Sequence, residues 1–97
     1  MSLADAAREY AATHKQLFNE QLIELVRIPS VSAESQHKND VKRAAEWIAR
    51  DLQNAGAENI QVIPTEGHPI IYADWLHAEN NAKTVLIYGH YDVQPAA

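Results

Sequence analysis

Four apolar residues in a row, Val85-Leu86-Ile87-Tyr88, most constrain what this chain can fold into. A half-buried strand alternates apolar and polar side chains, because successive residues face opposite sides of a sheet. A run that is apolar at every position needs cover on both faces, as in the middle of an α/β sheet. The spacing predicts a strand over Thr84–Tyr88, the third in the chain. Asn59–Ile63, closed by Pro64, reads as the first strand and Ile70–Leu76 as the second. Glu66-Gly67-His68-Pro69 forms the turn between them, and Ala78–Lys83 is a polar connection.

Helices are expected ahead of the strands. Tyr10, Leu17, Phe18, Leu22, Leu25 and Val26 recur at helical spacing, which predicts one amphipathic helix from Ala4 to Arg27. Pro29 forbids its continuation and biases Ile28 toward extended geometry. A polar stretch follows from Ser30 to Lys38, with Val31 its one candidate for burial. Val41, Ala44, Ala45, Ile48 and Leu52 then stripe a second helix over Asn39–Ala55. Gly56 stands where a left-handed C-cap belongs, and Trp47 flanks the stripe as packing. The expected fold is α/β, two helices followed by three strands. Two helices cover only one face of such a sheet, so the chain reads as the beginning of a larger domain.

Composition narrows the function classes. Eight basic against thirteen acidic residues give 8 − 13 = −5, which argues against nucleic acid as a partner. With no cysteine, no disulfide or thiolate chemistry is open, and any metal must be held by His, Asp or Glu. The first thirty residues lack a signal-peptide core, being broken by Asp5, Arg8, Glu9, His14 and Lys15, and no run approaches the ~20 apolar residues that cross a bilayer. No membrane partner and a cytoplasmic location are expected.

Chemistry concentrates just beyond the predicted third strand. In open α/β sheets, functional groups gather past the carboxyl ends of the strands. His90 lies there, and neutral imidazole is a common metal ligand. In an extended segment Asp92 leaves the same face, placed to accept a hydrogen bond from the second ring nitrogen of His90. Gly89 leaves room for close approach of a metal or substrate. On His-x-Asp alone, a metal ligand and a hydrogen-bonded structural histidine both stay open.

Two ordered segments add a resemblance. Val85-Leu86-Ile87-Tyr88-Gly89-His90-Tyr91-Asp92-Val93-Gln94-Pro95-Ala96 resembles the first metal motif of the M20 metallopeptidases, in their dipeptidase and carnosinase-like branch. Leu25-Val26-Arg27-Ile28-Pro29-Ser30-Val31-Ser32 is similar to the family's helix-end signature. The resemblance implies that His90 binds one of two metal ions, usually zinc, and that Asp92 is the catalytic-site acid that orients it. It implies residues 1–97 as the N-terminal portion of a catalytic domain, with the remaining ligands, the general-base Glu and a lid domain outside it. The implied substrate is a dipeptide or short N-acyl compound, cleaved at a peptide or amide bond. The chain alone is expected to be inactive, and to form a homo-oligomer or associate with the rest of its protein.

Other residues are expected to be structural. His14 suits a partly buried, hydrogen-bonded place on its helix, and His37 a solvated one. His68 belongs to a turn and His77 to a strand end. Glu34, Glu46, Glu58, Glu66 and Glu79 read as exposed charges, and Ser30 and Ser32 as capping or turn residues. A non-catalytic module of the same fold is an alternative. So is a small α/β binding domain with an accidental His-x-Asp, although the only glycines, Gly56, Gly67 and Gly89, form no phosphate loop.

Overall fold

The computed structural model describes residues 2–96. Helix α1 spans Leu3–Thr13 and α2 spans Lys15–Val26. A short 3-10 turn at Ser35–His37 leads into α3, Lys38–Asn54, followed by β1, Glu58–Ile63, and β2, Ile70–Asp74. The α/β class expected from the sequence is the one observed.

Where one N-terminal helix was expected, there are two. Ser2 opens α1 with a capping box: its hydroxyl accepts from the Asp5 amide at 3.1 Å, and the Asp5 carboxylate accepts from the Ser2 amide. The break falls at His14, whose φ of −110° and ψ of 14° leave the helical region. Its ring stacks on Tyr10 at 3.8 Å, and Nδ1–H donates to the Tyr10 carbonyl at 2.8 Å. The same carbonyl also accepts from the His14 amide at 3.0 Å and from the Thr13 hydroxyl at 3.1 Å. His14 is partly buried and hydrogen-bonded, as expected. Helix α2 stops at Val26, three residues before Pro29, which cannot extend it. Neither α1 nor α2 buries a residue, and Leu17, Leu22, Ile23 and Val26 stay exposed.

Helix α3 is the centre of the packing. Its apolar stripe buries Val41, Ala44 and Ala45, and the helix lies on the β1–β2 hairpin. Ile28 and Val31 complete the small core. Trp47 does more than pack: its indole N–H donates to Glu24 at 2.8 Å, tying α3 to α2. At the C-terminus, Gly56 takes a φ of +97°. The Gly56 amide bonds the Gln53 carbonyl and the Ala57 amide that of Leu52, the paired bonds of a Schellman cap.

The hairpin is antiparallel, pairing Gln61 with Tyr72, Val62 with Ile71 and Ile63 with Ile70. Glu58 pairs with Asp74, so the register shifts by one residue before Gln61. Asn59 sits in this bulge with φ 54°, a left-handed conformation that asparagine tolerates, and its side chain donates to Asp74 at 2.9 Å. Strand β2 ends at Asp74, short of the expected Leu76, and Trp75 and Leu76 are exposed.

The third strand is a correction. Residues 84–88 form no ladder among the described residues, and Leu86 and Ile87 are 88% and 90% exposed. Apolar side chains favour a strand, but a strand also needs a neighbour for its backbone N–H and C=O groups. The described residues place none beside it. Among them, no helix is long and apolar enough to cross a membrane.

Candidate metal centre

The segment Tyr91–Val93 is held by the loop that follows α2. Around Pro29 the chain turns tightly, the Ser30 amide bonding the Ile28 carbonyl at 2.7 Å and the Val31 amide that of Pro29 at 2.8 Å, and Ser30 and Val31 are buried. Val31 forms a parallel bridge with Val93, and the Val93 amide donates to the Ser30 carbonyl at 3.0 Å. The buried Ser30 hydroxyl donates to the Tyr91 carbonyl at 3.3 Å. From the other side, the Tyr91 hydroxyl donates to the Pro69 carbonyl at 2.6 Å. Burial, with the Asp92 charge behind it, raises the Tyr91 hydroxyl above its ordinary pKa of 10.0 and keeps it a donor.

Asp92 is fixed differently from the expectation. Its Oδ2 accepts from the Ser32 hydroxyl at 2.5 Å, and no hydrogen bond joins it to His90 among the described residues. The Ser32 bond is the main cause that holds the Asp92 carboxyl below its ordinary 3.8. Desolvation opposes it, and the backbone and the nearby His90 and His68 rings assist. Ser32 is thus neither a cap nor a simple turn residue.

His68 is also more than part of a turn. It is half-buried, and its Nε2 lies 2.9 Å from the Ser32 carbonyl. A carbonyl only accepts, so this ring nitrogen carries the proton. The turn itself is closed by Thr65, whose hydroxyl donates to the His68 carbonyl at 2.7 Å.

His90 is exposed, with its ring edge-on to Tyr88 at 5.3 Å. His90, Asp92, His68 and Ser32 line one cleft of about 610 Å³, whose apolar wall includes Val41, Ile48, Leu52 and Ile71. A Cβ on Gly89 would meet no atom within 4 Å, so the described residues themselves do not demand glycine there. His37 and His77 lie elsewhere. His37 is half-buried rather than solvated and donates to Asp40 at 2.9 Å, while His77 donates to Glu58 at 2.7 Å.

The donor chemistry fits part of a metal site. A catalytic zinc takes three protein ligands of the His and carboxylate type. The cleft offers one exposed imidazole with a fixed carboxylate near it. Among the described residues, no three His, Asp or Glu side chains stand close enough to hold an ion. The Ser32 and His68 contacts were hidden from sequence reading because each joins residues more than thirty positions apart. Only the place of Ser32 as the last residue of the helix-end motif could have drawn attention to it.

No family model matches the chain. It is 30% identical over 93 residues to the Cys-Gly metallodipeptidase DUG1 of Saccharomyces cerevisiae, covering 84% of this chain and 19% of that protein. The Candida albicans protein of the same name is 33% identical over 93 residues, with the same coverage. That of Schizosaccharomyces pombe is 33% identical over 106 residues, covering all of this chain and 22% of the relative. The solved structure of the di-peptidase Dug1p from Saccharomyces cerevisiae superposes with a TM-score of 0.81 at 29% identity, over 91% of this chain and 20% of that one. The chain therefore spans about a fifth of the length of the relatives it matches, and over most of its own length it is similar to one segment of a metallodipeptidase.

Proposed function

We propose that this chain is the N-terminal portion of the catalytic domain of an M20-type metallopeptidase acting on dipeptides or other short substrates. The observation that carries this reading is the meeting of His90 and a fixed Asp92 carboxylate at one cleft, within a segment that resembles the family's first metal motif. The similarity to metallodipeptidases, over 84% or more of the chain, supports it.

In this reading His90 is a ligand to one of two zinc ions, and its exposed ring has the access that a ligand needs. When bound, the metal polarises the scissile carbonyl and lowers the pKa of a bound water. Asp92 orients the His90 imidazole and favours the tautomer that can ligate. Its hydrogen bond to the Ser32 hydroxyl uses Oδ2. The apolar wall of α3 limits water on the other side of the cleft. The remaining ligands and the general base belong to sequence outside these residues, as does the lid. A cytoplasmic location, and association through the exposed 84–88 segment, complete the proposal.

The test is metal content and dipeptide hydrolysis of the full-length protein with and without His90→Ala. Loss of one bound metal and of most activity is expected. Full metal content and full turnover in the variant would remove His90 from the site.

A further inference from the structure

The three strongest features beyond the motif itself are the Ser32–His68 contact, the His37–Asp40–Arg43 cluster and the exposed 84–88 run. The Ser32–His68 contact leads furthest, because it ends on Asp92. We propose that Ser32 is the positioning residue for Asp92, and that His68 holds Ser32 in place for that task. This rests on the reading of His90 and Asp92 given above.

The first support is redundancy. The Tyr91–Val93 segment is already anchored by the Val31–Val93 bridge, by both the hydroxyl and the carbonyl of Ser30, and by Tyr91 on Pro69. The Ser32–Asp92 bond is not needed to keep that segment in place. What it adds is the orientation of one carboxylate. A single-bonded carboxylate at an exposed position rotates about its χ2, whose minima are broad. Accepting from Ser32 at 2.5 Å commits Oδ2 and sets the plane of the group, so that Oδ1 is the oxygen turned to other partners.

The second support is that Ser32 is itself held. His68 donates from Nε2 to the Ser32 carbonyl at 2.9 Å. The Ser32 backbone is thereby fixed on one side by the bridge of its neighbour Val31 and on the other by an imidazole. A hydroxyl on a fixed backbone has three staggered places to go, and one of them meets Asp92. His68, Ser32 and Asp92 all line the cleft that His90 lines. The line of contacts runs from His68 through Ser32 to Asp92, two residues from His90 at the same cleft. It brings together the turn before β2, the loop after α2 and the tail, three segments far apart in the chain.

The experiment uses the full-length protein, titrated with Co²⁺ as a coloured probe of affinity and coordination, with kcat and KM measured on a dipeptide. Ser32→Ala should weaken Co²⁺ binding about tenfold, the lower end of the ~10–100-fold typical for partners of metal ligands, and should lower kcat more than KM. Ser32→Thr retains a hydroxyl and should restore affinity and the visible spectrum. His68→Ala should reproduce part of the Ser32→Ala loss, and His68→Gln, which keeps a donor near Nε2, should recover it. His90→Ala serves as the reference and should remove one Co²⁺ altogether. If Ser32→Ala binds Co²⁺ within twofold of the native protein while His90→Ala loses it, the positioning role is wrong and the metal site stands. Equal impairment by Ser32→Ala and Ser32→Thr would also overturn the role, because packing and not the hydroxyl would then matter. If His90→Ala binds Co²⁺ as the native protein does, the site assignment fails, and this inference with it.

Discussion

The hydroxyl of Ser32 lies 2.5 Å from the carboxylate of Asp92, although sixty residues of chain separate them. The contact makes Asp92 more than a charged residue in an exposed tail. With one oxygen committed to Ser32, the other is free to fix the tautomer of a neighbouring imidazole. In the full-length protein, Asp92→Asn should lower metal affinity or turnover ~10–100-fold, the usual consequence of losing such a partner. Combining it with His90→Ala should be hardly worse than His90→Ala alone, since members of one hydrogen-bonded unit are not additive. Metal titration of the four proteins checks both. An Asp92 oxygen within ~2.0–2.2 Å of zinc in a metal-bound structure would instead make it a ligand.

The described residues should not hydrolyse dipeptides by themselves. They offer no group of three metal donors, and a metal-activated water also needs a general base. Turnover of the 97-residue chain with added zinc should equal the zinc-in-buffer control. Turnover that survives repurification and disappears with His90→Ala would refute this.

The 84–88 run should drive association. Val85, Leu86, Ile87 and Tyr88 are each 79% or more exposed, and contiguous apolar surface of this kind is a contact site or an aggregation liability. A strand-prone segment without a neighbour also templates pairing with another chain. Sedimentation of the chain at tens of micromolar should show species heavier than the monomer, and Leu86→Lys should shift them toward it. A single monomeric boundary for the native sequence would contradict the expectation.

The legible and illegible parts of this fold divide by range. Helix α3 could be read because its stripe and its glycine cap are local, and Gly56 indeed takes the left-handed conformation. The end of α2 could be read from Pro29. The break at His14 could not: no Gly or Pro marks it, and the apolar spacing runs through it. The His14 ring and amide both reach the Tyr10 carbonyl there, a local arrangement that the apolar pattern does not record. The 84–88 strand was legible as a preference but not as a structure, since a ladder depends on what lies beside it. At the site, His90 and Asp92 stood out as a motif. Ser32 was visible only as the last residue of the helix-end motif and His68 not at all, because nothing in the sequence of either loop records the other.

Core packing predicts which helix tolerates least. Ala44 is fully buried and Val41 nearly so, both on the helix that packs on the hairpin. Ala44→Leu adds three carbons to a filled position and should cost about 1–3 kcal/mol. Val41→Ala should cost about 2 kcal/mol, between the usual penalties for Ile→Val and for Leu→Ala. Urea unfolding followed by circular dichroism measures both, with Lys42→Ala on the exposed face as the silent control.

Acid should loosen the start of α3. Asp40, the third residue of that helix, accepts from His37 at 2.9 Å and from Arg43 at 2.6 Å. The His37 hydrogen bond is the first cause that holds its carboxyl below 3.8, with Arg43 assisting and desolvation opposing. A carboxyl depressed in the folded state adds stability that is complete above its unfolded value and lost as pH falls through its folded one. Asp40→Asn should therefore be less stable than the native chain at pH 7, and the gap should close on acidification below 3.8. A gap that is constant from pH 7 to pH 2 would rule out the charge as its source.

The pairing of Val31 with Val93 has a kinetic consequence. Closing a loop of that length costs chain entropy that grows roughly as (3/2)RT ln n, and no reward arrives until the ends meet. Helix α3 and the hairpin lie between those ends and shorten the distance once formed, so the order of events is set. The neighbourhood of Asp92 should assemble last and open first. Substitutions there should quicken unfolding with little effect on the folding rate, and the Val93 amide should exchange its hydrogen well before those of α3.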